Sequence, residues 1–130
     1  MNVIQKEILD SIMDINVESS SELNVQISFT DKFTGFDGHF DERPVLPAIC
    51  LLEIIKCSLY KQFSIMPVIL EVIAAKFYNV IGVKEKIDVI ITAKANSLDI
   101  NNLAEDYLLN VKFIGMAGKK ALLKVKTKSC

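Results

Sequence analysis

The spacing of apolar and polar positions changes several times along the chain, and each change marks an element. Val3, Ile4, Ile8 and Ile12 recur at roughly helical spacing, which predicts a short amphipathic helix over 2–11. Ile15 and Val17 then alternate with Asn16 and Glu18, the pattern of a short strand. The polar run 19–22 reads as a turn. From Leu23 to Phe29 the alternation is strict, as in a strand with one buried face.

The period is then lost from Thr30 to Pro47, a stretch holding Gly35, Gly38, Pro44 and Pro47. Irregular connections of this length within a compact domain are usually functional. Pro47 suits the first helical position, where a missing N–H costs nothing. Residues 48–62 are apolar nearly all round (Ile49, Cys50, Leu51, Leu52, Ile54, Ile55, Leu59), which predicts a buried helix. The rest reads as strands: 68–75, continued by 76–81 with a bulge, then 86–95, 107–116 and 119–128. In the last, Leu123, Val125 and Thr127 share one face, and Lys124, Lys126 and Lys128 the other. This order predicts one α+β domain over 1–130, a sheet wrapped round a central helix.

Composition adds an interface to this picture. The hydrophobic share is 51%, above the roughly 45–50% of soluble domains, so part of the excess is expected between subunits. A net charge of −1, 8% aromatics and no Trp argue against a nucleic-acid partner. The charge is unevenly spread: residues 1–53 hold ten acids against Lys6, Lys32 and Arg43, while residues 107–130 hold six lysines and no acid. Those lysines have two readings. They form a basic rim that steers an acidic partner, or a solvated outer sheet face that guards against edge-to-edge association.

Cys50 and Cys57 lie seven apart in the predicted helix, about 10 Å by helical rise, too far for a disulfide. With Cys130 they read as free thiols, which fits a reducing cytoplasm. The first ten residues carry Glu7 and Asp10 and lack the apolar core of a secretory leader. The longest apolar runs, 44–52 and 65–70, are far short of the roughly 18 residues that span a bilayer, so no membrane span is expected.

There is one histidine, His39, which excludes sites built on two or more imidazoles, and no metal is expected. It sits in Gly38-His39-Phe40, followed by Pro44-Val45-Leu46-Pro47 and, fourteen positions after His39, by Glu53 on the apolar helix. This combination of residue types and spacing resembles the β-hydroxyacyl-acyl carrier protein dehydratases. The resemblance extends weakly over the whole chain. It implies the hotdog fold, a curved antiparallel sheet around one helix, and conversion of a (3R)-hydroxyacyl thioester to the trans-2-enoyl thioester. It implies no cofactor beyond the substrate's own carrier, the phosphopantetheine of an acyl carrier protein or coenzyme A.

By the same resemblance His39 is the base, Glu53 the acid or water-positioning group, and the N–H of Ala48 the oxyanion donor. Gly38, Phe40, Pro47 and Ile49 line the substrate, and the site forms between two subunits, in a homodimer or a dimer-based assembly. The chemistry is consistent with these roles. Neutral imidazole suits proton abstraction near pH 7. A carboxyl in apolar surroundings can deliver a proton to the leaving hydroxyl. Backbone N–H groups at a helix start can hold the enolate-like oxygen.

The alternatives are a lone structural His39, and Glu53 as a surface i,i+3 partner of Lys56. Cys50 and Cys57 read as packing residues, and Phe33, Phe36 and Phe40 either line an acyl tunnel or pack the core. Where the family has Pro-Gly after the His-Phe pair, this chain has Asp41-Glu42, and Ala48 replaces the usual Gly. Those departures keep two further readings open: a non-catalytic hotdog protein that binds acyl chains or assembles with an active partner, and an acyl thioesterase.

Overall fold

A capping box opens α1 (Val3–Ser11): the Asn2 side chain accepts from Gln5 N, and the Gln5 side chain accepts from Asn2 N. Two otherwise orphaned N–H groups are thereby satisfied. This is the predicted first helix, seen in a computed structural model that describes residues 1–30, 33, 48–79, 81, 86–93 and 106–129.

The chain passes directly into β1 (Ile12–Ser19), turns, and returns as β2 (Glu22–Ser28). β1 starts three residues before the alternation at Ile15, since Ile12 already pairs with Ile27 of β2, and the register shifts between Ile12 and Asp14. In β2, Leu23, Val25 and Ile27 point inward, as the strict alternation requires.

α2 (Ala48–Phe63) follows, then β3 (Pro67–Phe77), β4 (Lys86–Ala93), β5 (Tyr107–Ile114) and β6 (Lys120–Ser129). A single 3-10 turn at Met116–Gly118 joins β5 to β6. The strands form one curved antiparallel sheet in the order β1-β2-β4-β5-β6-β3. β1 and β3 are its edges. The layout is the expected α+β hotdog arrangement, with α2 against the inner face of the sheet.

The core joins one side of α2 to that inner face. Leu51, Ile54, Ile55 and Leu59 pack in a single cluster with Val25, Ile91, Leu109, Val111, Phe113 and Val125. The expectation of a helix buried all round is corrected here. Ile49 is 69% exposed, and Leu52, Glu53, Lys56 and Tyr60 are only partly covered. A helix lying on one sheet buries one side, and α1 covers only part of the other.

β3 departs most from its expected form. It ends at Phe77 rather than reaching Ile81, and the bulging lies earlier than expected. Its register with β6 shifts between Ile69 and Glu71 and between Val72 and Ala74. Past its end, the N–H groups of Tyr78 and Asn79 both donate to the carbonyl of Lys120. Pro67 is the strand's one fully buried residue, while Val68, Leu70, Val72, Ile73 and Phe77 are exposed. A β-branched, apolar edge strand left open to solvent is a surface that seeks a partner.

Candidate functional site

Glu53 stands just over one turn into α2, on the side of the helix turned away from the core. Its side chain keeps 23% of its accessible surface. Both carboxylate oxygens are engaged. The Lys56 ammonium lies 3.6 Å from Oε1, the i,i+3 pairing read from the sequence. Gln5 Nε2 donates to Oε2 at 3.0 Å.

That second contact comes from α1, forty-eight residues away in sequence. Gln5 is almost fully buried. Its amide is held at the other end by the capping box, where Oε1 accepts from Asn2 N at 3.1 Å. One turn further along α2, the Cys57 thiol donates to the Gln5 carbonyl at 3.8 Å. The sequence offers Lys56 as a partner for Glu53 but does not show Gln5. The capping-box signature at Asn2 and Gln5 was legible, but the docking of α1 on α2 was not.

Cys50 and Cys57 are both buried free thiols, as the packing reading expected. Burial pushes Cys50 up from 9.0 to about 11, with a smaller contribution from the Glu53 charge. Burial pushes Cys57 to about 12, again helped by Glu53, while Lys56 acts the other way. Neither is a nucleophile at neutral pH.

Ala48 is the first residue of α2 and is exposed, so its N–H lies among the helix-start donors that have no intrahelical acceptor. Ile49 follows on the open side. Gly38, His39, Phe40 and Pro47 lie outside the described residues, as do Phe36, Asp41 and Glu42. Phe33 is buried and stacks on Phe29, with ring centroids 4.3 Å apart, which makes it a core residue.

Of the C-terminal lysines, Lys112, Lys120, Lys124, Lys126 and Lys128 stand on the sheet face opposite α2. Lys112 and Lys124 join Lys76, Glu22, Ile90 and Leu122 around an open trough of about 530 Å³. Lys126 pairs with Asp106 at 3.7 Å, both half exposed. This is the solvated outer face of the second reading, and it is remote from Glu53. Among the described residues no helix is long and apolar enough to cross a membrane. Among the same residues no group of three or more His, Cys, Asp or Glu could hold a metal ion.

Comparison with known proteins adds a family to this geometry. The model of the ApeI-like family, described as ApeI dehydratase, matches residues 15–106, a span that includes His39 and Glu53. A search of curated protein sequences gives no match. Among solved structures, the dehydratase heterocomplex ApeI:P from Xenorhabdus doucetiae superposes with a TM-score of 0.70 at 14% identity, covering 90% of this chain and 96% of that one. The PaaI protein of the E. coli phenylacetic acid degradation operon gives 0.62 at 11% identity, covering 88% and 81%. A hypothetical thioesterase with coenzyme A from Streptococcus pneumoniae gives 0.56 at 7% identity, covering 97% and 94%. At these identities the structural likenesses establish the hotdog fold.

Proposed function

The chain belongs to the ApeI-like dehydratase family, and from that premise we propose that it eliminates water from a (3R)-hydroxyacyl thioester. The observation that carries the reading is Glu53, a half-buried carboxylate on the open side of the central helix, just over one turn along the chain from that helix's first residue, Ala48. The carboxylate follows His39 at the spacing that the dehydratases share.

In this mechanism neutral His39 removes the proton from the carbon beside the thioester carbonyl. The enolate-like oxygen is held by the N–H of Ala48 at the positive end of α2. The imidazolium then returns its proton to the departing hydroxyl, which leaves as water, and the carbon–carbon double bond forms. Glu53 is paired to Lys56 as a carboxylate and serves as an acceptor. It orients the leaving hydroxyl and the water it becomes. No group besides the substrate and these residues is needed for the balance.

The acyl group rides on the phosphopantetheine of an acyl carrier protein or on coenzyme A. Two hotdog subunits complete the site, one supplying His39 and the other Glu53. The exposed β3 edge supports such pairing, since its free backbone groups and apolar side chains can continue into a partner's sheet. The X. doucetiae dehydratase heterocomplex supports it too, since a chain of this fold stands in a complex there.

The test is turnover of pantetheine-linked 3-hydroxyacyl thioesters of several chain lengths, read from the conjugated enoyl product. Substitution of His39 by Ala, or of Glu53 by Gln, is expected to remove at least about 10²-fold of the rate while the assembly persists. Undiminished turnover in the His39→Ala protein rejects the dehydratase reading. Release of free thiol without enoyl product favours a thioesterase, and no turnover at any chain length favours an acyl-binding subunit.

A further inference from the structure

We infer that Gln5 is a positioning residue for Glu53: α1 is docked on α2 so that one buried amide fixes the carboxylate of the site. The inference rests on the proposed role of Glu53. Its grounds are the geometry around Gln5. The amide oxygen accepts from Asn2 N at 3.1 Å, and a backbone N–H can only donate, so the amide atom it meets is the oxygen. This settles which end of the amide is which, so the opposite end is the N–H₂ that faces Glu53 Oε2 at 3.0 Å. The Gln5 backbone is pinned twice more, by Asn2 Oδ1 on its N–H at 2.8 Å and by the Cys57 thiol on its carbonyl at 3.8 Å.

Four contacts therefore converge on one nearly buried residue, and the backbone N–H of Asn2, which holds the amide oxygen, is the one that aims the amide at Glu53. Lys56 takes the other oxygen of Glu53 at 3.6 Å but is a flexible, partly exposed side chain. The rigid restraint on the carboxylate plane is Gln5. A carboxylate oxygen with one fixed donor still has a lone pair free for a hydroxyl or water. Holding a reacting group in one orientation raises the rate of the bound step rather than the affinity.

Substitutions at three positions separate this role from simple support of the fold. Gln5→Glu keeps the capping box, because Glu is the usual partner at that helix position, but it removes the N–H that faces Glu53. Asn2→Ala removes the side-chain cap and leaves the Gln5–Glu53 contact in place. Glu53→Gln removes the carboxylate itself. The probe is a pantetheine thioester of a (3R)-hydroxy acid, followed to its enoyl product, with thermal melting measured in parallel.

Gln5→Glu, which loses the donor and sets a second carboxylate against Glu53, and Gln5→Met, which loses the donor without adding charge, are each expected to lower kcat about tenfold or more, with KM changed less than about twofold. Asn2→Ala is expected to lower the melting temperature and keep kcat. Wild-type kcat in either Gln5 variant overturns the inference. So does an equal fall of kcat in Asn2→Ala, which would trace the effect to α1 docking alone. If Gln5→Glu does not fold, Gln5→Met, of similar length, is set alone against Asn2→Ala with the same expectations. Unchanged turnover in Glu53→Gln, or none in the wild type, overturns the reading of Glu53 and this inference with it. Lost turnover in Glu53→Gln beside unchanged kcat in Gln5→Glu overturns the inference alone.

Discussion

The Cys57 thiol points at the backbone carbonyl of Gln5, 3.8 Å away, and so ties the central helix to the first helix of the chain. The tie runs beside the Gln5–Glu53 hydrogen bond. Together they add two polar ties to the α1–α2 contact, in a domain whose core cluster is apolar.

Cys50 and Cys57 should resist alkylation in the native protein at pH 8 and react fully in urea. The thiolate is the reactive species, and burial keeps both groups protonated to about 11 and about 12. Iodoacetamide labelling followed by intact mass checks this. Rapid labelling of Cys50 or Cys57 in the folded chain at pH 8, told apart from Cys130 by peptide mapping, would contradict the burial.

The same shifts set a pH dependence. Each thiol has a native value raised above its ordinary 9.0, so the native state holds protons that the unfolded chain has already lost. Their contribution is fully present below pH about 9 and declines as the pH rises through about 11 to 12. Urea midpoints should therefore fall over that range in the wild type, and fall less steeply in a Cys50→Ala/Cys57→Ala protein.

The two sides of α2 should answer differently to truncation. Ile54 is fully buried against the sheet, and Ile54→Ala is expected to cost about 2–5 kcal/mol of stability. Ile49 is exposed, and Ile49→Ala should stay within about 0.5 kcal/mol. Chemical denaturation of both variants at one protein concentration decides. A large loss at Ile49 would show that the open side is covered in solution.

The β3 edge predicts the assembly. A charge at Val72, as in Val72→Glu, should reduce the mass measured by light scattering to that of one chain, with the far-ultraviolet dichroism unchanged. Val17 is similarly exposed but lies on the opposite edge, in β1, and Val17→Glu should leave the mass as it is. An assembly that survives Val72→Glu is built on another surface.

Much of the fold was legible because periodicity is a local property. Leu23, Val25 and Ile27 alternate with polar residues, and the strand they predict is there. Leu123, Val125 and Thr127 turn inward and Lys124, Lys126 and Lys128 outward, as a two-residue repeat demands. The motif around His39 and Glu53 pointed to the family through residue type and spacing, and the family model agrees. β3 was misjudged in extent because its end is set by hydrogen bonds to Lys120, which belongs to the far end of the chain.

What the sequence determined by itself was therefore the elements, their inward faces and the carboxylate on the central helix. Each depends on neighbours within a few positions, where backbone geometry leaves few choices. What only the tertiary structure decided was which parts of those faces stay open and what surrounds the carboxylate. Whether Ile49 is covered, or β3 left bare, depends on how far one helix reaches over a six-stranded sheet. That Gln5 rather than water meets Glu53 depends on two helices packing across forty-eight residues of chain. No local pattern records such a contact, because its energy arises only when both surfaces have been brought together.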